Sequence, residues 1–270
     1  MIQTRGCFDK HPLFYSGKRM RLNEVISVLD TLAPFESAEA WDNVGLMVGD
    51  PRQEISSILV ALDPSSDVIE HARMTKADLI ITHHPLIFSP LKRLDFSESV
   101  SRKINRLITS GLSLVSMHTN LDAAEHGIAD VLAEALSLKG IQSFGMMRIG
   151  AIMKERSLRA WAGSLPFQTV RIVDAARPVK KVCACPGSGS EYLWKARELG
   201  CDTLVTGDVK YHAALDAQEA GINIVDPGHF GTEQIAVKPF AQKLGTELPG
   251  IEVKAYETRD VFTNIKGENN

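Results

Sequence analysis

Leu22, Val25, Ile26, Val28, Leu29 and Leu32 recur at the three- and four-residue spacing of one helix face, and Pro34 ends the pattern. Beyond that amphipathic helix, short continuous apolar runs alternate with helical periods. The apolar runs predict strands at 58–62, 79–82, 112–117, 170–173, 182–185, 203–206 and 222–225. Helical spacing predicts helices at 66–75, 98–110, 123–137, 190–199, 209–220 and 231–244. This alternation predicts an α/β fold with mainly parallel sheets and covering helices, in which ligands bind outside the carboxyl ends of the strands.

A short internal match divides the chain. Ala72-Arg73, Asp78 and Thr82 recur at one constant offset as Ala196-Arg197, Asp202 and Thr206. A glycine and an alternating strand follow in each half, Gly111-Leu112-Ser113-Leu114-Val115 and Gly221-Ile222-Asn223-Ile224-Val225. His118 and Asp122 come next in the first half, His229 and Glu233 in the second. The match reads either as a duplication or as chance likeness between α/β units. A duplication predicts two halves, residues 20–137 and 181–262, with facing strand ends and one shared cleft. Residues 138–180, with a strand at 146–153, a short helix at 157–164 and breaks at Pro166 and Pro178, read as the connection. Residues 1–19 show neither period and read as a peripheral leader, and residues 263–270 as a tail.

Composition narrows the function classes. The chain has 270 residues, 44% of them apolar, enough for a sizeable core. A formal net charge of -3 gives no footprint for nucleic acid or an anionic membrane. Cys7, Cys183, Cys185 and Cys201 have neither the density nor the spacing of a disulfide framework, so reduced thiols and a cytoplasmic location are expected. Cys183 and Cys185 read as core residues of a strand. No apolar run reaches the roughly 20 residues needed to span a bilayer.

The chemistry gathers at strand ends. His83 and His84 lie next to each other just past an apolar strand, and Pro85 holds His84 extended as the chain leaves the sheet. They are either donors that straddle two ions or an ordinary turn with one packed and one exposed histidine. His229 and Glu233, four apart at a helix start, share one face as ligands or as a solvated ion pair. Asp122 can ligate a metal or cap the following helix through its N–H groups. Three histidines and two carboxylates exceed the usual four-coordinate shell of one zinc. They suit two ions about 3.5 to 4 Å apart, which hold a bridging hydroxide by lowering the pKa of its parent water toward 7. That chemistry is hydrolysis, with zinc, iron, manganese, cobalt or nickel as candidates.

Two further segments flank this set. After Thr206-Gly207-Asp208 come Lys210, a contact for a substrate anion, and His212, which is either a proton carrier or a helix-surface histidine. The segment from Cys185 to Ser190 reads as a tight turn in preference to an anion cradle, since it lacks the P-loop and dinucleotide fingerprints.

Taken in order, Trp41-Asp42-Asn43-Val44-Gly45-Leu46, Thr82-His83-His84-Pro85, His118-Thr119-Asn120-Leu121-Asp122, Thr206-Gly207-Asp208 with Tyr211-His212, and Gly228-His229 with Glu233 resemble the YbgI-type, Nif-three-like dinuclear metal-centre family. Its members often carry the name GTP cyclohydrolase I type 2. The resemblance spans about residues 20–262. It implies two intertwined α/β domains, a homohexameric ring, and two divalent ions per chain held by His83, His84, Asp122, His229 and a bridging Glu233. Residues 138–180 leave no room for the domain inserted in longer members.

The expectation is therefore a dinuclear-metal hydrolase acting on a nucleotide or phosphorylated small molecule, with Glu233 and His212 at the reaction. The alternative is a non-enzymatic, metal-binding ring protein. Direct DNA binding has the least support.

Overall fold

The computed structural model describes residues 18–263 and Ile265, so Cys7, residues 1–17 of the expected leader and most of the expected tail lie outside the described residues. In chain order the first elements are β1 (Met20–Arg21), α1 (Leu22–Leu32), β2 (Gly45–Val48), β3 (Glu54–Ile55), β4 (Ser57–Ala61), α2 (Ser66–Thr75), β5 (Leu79–Thr82), α3 (Ser99–Thr109), β6 (Ser113–Ser116), α4 (Thr119–Ala123) and α5 (Ile128–Ala135). There follow β7 (Lys139–Phe144), β8 (Met147–Arg156), α6 (Leu158–Ala162), β9 (Arg171–Val173), β10 (Val179–Ser188), α7 (Leu193–Glu198), β11 (Thr203–Gly207), α8 (Tyr211–Ala220), β12 (Asn223–Asp226), α9 (His229–Glu247) and β13 (Glu252–Ala255).

The fold is mixed α/β. One five-stranded sheet runs β13-β4-β5-β6-β2, and one six-stranded sheet runs β7-β8-β10-β11-β12-β9. Parallel pairings join β13 through β6 in the first and β10 through β12 in the second, while β2, β7, β8 and β9 pair antiparallel. Parallel strands covered on both sides need apolar residues on both faces. Accordingly Ile58, Val60, Leu79 and Ile81 enter the core shared with α1 and α9, while Leu59, Ala61 and Ile80 enter the core under α2 and α3. The last strand returns to the first sheet, beside β4, and α9 supplies Ala236, Val237, Phe240 and Leu244 to that core. Among the described residues, no helix is long and apolar enough to cross a membrane.

Matched hydrogen bonds accompany the internal sequence match. The Asp78 carboxylate accepts from the backbone N–H of Ser56 and Ser57 beside β4, and Asp202 accepts from Lys180 and Lys181 of β10. Both aspartates therefore pin the start of the neighbouring parallel strand.

Three local expectations are revised. Residues 138–180, read as a connection, form β7, β8, α6 and β9 and thus three strands of the six-stranded sheet. The helix expected at 123–137 is shorter, α5 at Ile128–Ala135, and is preceded by a separate α4 and a turn in which His126 takes φ +59°. The turn expected after Cys185 is instead the end of β10, whose register against β11 shifts between Ala184 and Ser188 where Gly187 takes φ +60°. Cys183 and Cys185 are core residues beside α7, and burial pushes the Cys183 thiol up to about 12.

Candidate metal centre

The C-terminal ends of β5 and β6 from one sheet and of β10 and β12 from the other converge on one cluster of imidazoles and carboxylates. His83 and His84 follow β5 directly, and their N–H groups still bond the Ala61 and Leu62 carbonyls, which fixes the pair as the chain leaves the sheet. His118 sits at the start of α4 and Asp122 within it, so Asp122 does not cap the following helix. Asp226-Pro227-Gly228 turns the chain from β12 into α9, whose first two turns carry His229 and Glu233 on one face. All five ligand candidates are thereby brought together. Their donor atoms fall into overlapping groups, His83 with Asp122 and Glu233, and His84 with His229 and Glu233, each within 4.8 Å.

Glu233 joins the two groups. Its Oε1 lies 3.7 Å from His83 Nε2, and its Oε2 lies 3.0 Å from His84 Nε2 and 3.2 Å from His229 Nε2. Asp122 Oδ1 lies 3.7 Å from His83 Nε2. His83 Nε2, Asp122 Oδ1 and Glu233 Oε2 are buried without an aligned hydrogen-bond partner. The close approaches at Glu233 Oε2 thus set atoms around a common point without N–H groups aimed at the oxygen. Unpaired buried polar atoms are costly, so three of them within one cluster fit a site built for cations.

The opposite side of each imidazole supports that fit. His83 Nδ1 is 2.9 Å from the Met117 carbonyl, which can only accept, so Nδ1 carries the proton and Nε2 presents its lone pair to the cluster. His84 Nδ1 is 2.7 Å from Asp63, His118 Nδ1 2.8 Å from Asp42, and His229 Nδ1 2.8 Å from Asp208. An oxygen acceptor behind a histidine is the arrangement that orients metal-binding imidazoles and raises their basicity.

Sequence reasoning did not assign these supporting carboxylates, nor His118 as a member of the cluster. His118 forms a further group with His83 and His84. Asp42 and Asp208 stood within recognised motifs without a role. Asp63 had no motif at all, and only its place just past β4, beside β5 in the sheet, could have drawn attention to it. His212 is not among the gathered residues. It is exposed on the first turn of α8, its ring edge-on to Tyr211. Lys210, exposed just ahead of it, is likewise not among the gathered residues.

Glycine makes the close packing possible. A Cβ on Gly187 would lie 2.3 Å from Glu233 Oε1, and one on Gly207 would lie 2.4 Å from the His229 backbone nitrogen. At Gly187 the positive φ adds a second reason for glycine.

Without a cation, protons offset the buried carboxylates. Burial alone would lower the His84 imidazole, yet Asp63 and Glu233 outweigh it and raise it to about 10. The Glu233 contact, against burial, raises His229 to about 9. Burial pushes Asp122 up to about 6 against the pull of His83. Burial would raise Glu233 as well, but His83, His229 and His84 hold it well below the usual range. Because His84 and His229 bind protons more tightly folded than at the ordinary 6.5, their contribution to stability is complete below that pH and is lost as pH rises through 9 to 10. The Tm of metal-free protein should therefore fall from pH 7 to 10, and loading a divalent cation in that window should release protons. A metal-free Tm that rises over this range contradicts the assigned ion pairs.

A model of the family described as Duf34/NIF3 (NGG1p interacting factor 3) matches residues 20–261. A Clostridium perfringens protein named GTP cyclohydrolase 1 type 2 homolog is 36% identical over 262 residues, covering 91% of this chain and 100% of that one. A Helicobacter pylori protein named GTP cyclohydrolase 1 type 2 is 34% identical over 216 residues, 79% of this chain and 87% of the other. The crystal structure of protein SA1388 from Staphylococcus aureus superposes with a TM-score of 0.85 at 28% identity, over 91% of this chain and 99% of that one.

Proposed function

The chain belongs to the Duf34/NIF3 family, and on that premise we propose that it is a metal-dependent hydrolase with two divalent ions sharing the Glu233 carboxylate. His83, Asp122 and Glu233 Oε1 would hold one ion, and His84, His229 and Glu233 Oε2 the other. The observation that carries this reading is the set of four imidazoles, each backed by an oxygen at Nδ1, around three buried and unpartnered donor atoms. The mixed nitrogen and oxygen donors suit zinc, iron, manganese, cobalt or nickel. Two such ions would supply Lewis acidity and lower the pKa of a water between them toward 7.

The chain's own groups do the rest. Asp63, Asp208 and the Met117 carbonyl keep the imidazole lone pairs aimed inward. Asp42 holds His118 and also accepts from the Thr119 N–H at 3.1 Å, which ties the imidazole to the first turn of α4. His118 is half-buried, with its ring centre 5.0 Å from that of His83 and 5.6 Å from that of His84. This places it better than the exposed His212 to move a proton at the reacting atoms. His118→Asn should lower kcat about 100-fold with metal content unchanged, whereas His212→Ala should change kcat less than about threefold, in line with a surface substitution. A larger loss at His212 would return the proton-carrying role to that residue.

The substrate class is a nucleotide or another phosphorylated small molecule, with GTP suggested by the name of the Helicobacter pylori relative. Lys210, a few residues past Asp208, would meet its anionic group. Assembly into a homohexameric ring in the cytoplasm completes the reading. Turnover of a panel of nucleotides and phosphoesters, with and without added divalent ions, tests it. Metal-dependent release of product from one member is expected, and silence across the panel from metal-loaded protein would sink the enzymatic reading.

His118 motivates one competing view. A fourth imidazole near His83 and His84 raises the donor count to six, and saturation of the ions by protein groups would suit a non-enzymatic ring protein that stores, delivers or is locked by metal. That same silence would favour it.

A further inference from the structure

Asp122 offers one unpartnered oxygen, Oδ1, to the cluster, and among the described residues no hydrogen-bond donor holds that oxygen there. Its position is therefore set by the backbone of α4, a helix of five residues. So short a helix cannot satisfy its own terminal carbonyls. Arg148 does so. Its Nη2 donates to the Ala123 and Ala124 carbonyls, each at 3.0 Å. Its Nη1 donates to the Gly145 carbonyl at 2.8 Å, and its Nε pairs with Asp130, whose other oxygen accepts from the His126 N–H at 2.6 Å. One guanidinium thus joins β8, the end of α4 and the start of α5. It is 1% exposed, which makes it the largest fully buried side chain among the described residues. Burying a charge is costly, and five donors in a fixed plane are needed to satisfy this set of acceptors.

The sheet carries the connection onward. Arg148 lies opposite Ala184 of β10, and β10 continues to Gly187, whose N–H bonds Thr232 Oγ1 at 3.0 Å and where a Cβ would overlap Glu233 Oε1. The strand pair therefore holds α4 at one point and Glu233 at another. We propose that Arg148 is a positioning residue of the metal centre, holding the Asp122 carboxylate at the separation from Glu233 and His83 that a shared ion requires. This rests on the two-ion reading above and adds to it the device that sets the spacing across the sheets.

Metal titration of the purified protein, read by metal content and by the absorption of bound Co2+, tests the assignment. The unsubstituted protein should take up two equivalents, and Asp122→Asn should identify the step that belongs to the His83, Asp122 and Glu233 group. Arg148→Lys keeps a charge beside Asp130 but loses the planar fork. It should weaken that same step about tenfold or more and leave the other within about twofold. Ile149→Ala, at the next position of β8 and on the opposite face, should lower Tm and leave both steps unchanged. Arg148→Lys with both affinities intact, or with both lost together as in a merely unstable protein, overturns the proposal.

A second measurement needs no substitution. The Arg148 Nε–H resonance should shift as the step assigned to Asp122 fills and stay still during the other. A resonance unmoved throughout also overturns the proposal, even if Arg148→Lys fails to fold. If the unsubstituted protein takes up one equivalent only, the two-ion reading falls, and Arg148 is judged on whether Arg148→Lys, and not Ile149→Ala, weakens that single ion.

Discussion

Replacing Glu233 with Gln is expected to strip the protein of bound metal and of turnover together. Gln has nearly the same size and keeps one acceptor oxygen, but it cannot offer a charged oxygen to each group. At present Oε1 faces His83 and Oε2 faces His84 and His229, so a single carboxylate serves both. Its loss also removes the main partner that raises His229 to about 9 and, beside Asp63, one of the two that raise His84 to about 10, so both should titrate lower in the metal-free variant. Metal affinity should fall more than about 100-fold, beyond the range seen when only an outer partner of a ligand is removed. Competition with a chelator of known affinity measures it. A variant that keeps two tightly bound ions would exclude the bridging role.

Gly187→Ala is the second large effect, although the residue is not a metal-ligand candidate. An alanine there would need the left-handed conformation at φ +60° and would place its Cβ 2.3 Å from Glu233 Oε1. The backbone cost alone is about 1–2 kcal/mol. The overlap adds to it, and it cannot be relieved by moving α9 freely, because Gly187 N–H bonds Thr232 Oγ1 at 3.0 Å in the turn before Glu233. The carboxylate must rotate away from His83. We expect metal affinity to fall about 10- to 100-fold, comparable with disruption of an orienting partner, together with a lower Tm. Calorimetric titration alongside thermal unfolding separates the two losses. Unchanged affinity would show that Oε1 is free to move and is not a ligand.

The parts that were legible in the sequence share a physical basis. Strands buried on both faces, such as β5 at Leu79–Thr82, appear as continuous apolar runs, and α2 at Ser66–Thr75 is bounded by its Ser65 cap and by Lys76 at φ 57°. Elements without a buried face left no such mark. Every residue of β7 is exposed, and β2 and β13 are edge strands whose pairing comes from distant segments. The C-terminal return of β13 to β4 is a tertiary contact that no local period encodes.

The site divides in the same way. His83, His84, Asp122, His229 and Glu233 were visible because each follows a strand end, directly or within the first turns of the next helix, in a distinctive local order. Asp63 and Asp42 act on imidazoles far along the chain and look like ordinary loop acids until the fold brings them to His84 and His118. Arg148 was hidden for a different reason. A strand arginine reads as solvent-facing, and the partners that tie it to the site are the ends of α4 and α5, which only the fold brings to it.

The most direct test of the shared-ion centre is the metal content of the full chain purified without chelators, compared with Glu233→Gln prepared alongside. Two equivalents of divalent transition metal per chain are expected in the first and a loss of both in the second. Chains that carry no metal after exposure to zinc, iron, manganese, cobalt and nickel, or a Glu233→Gln protein that retains both equivalents, would contradict it.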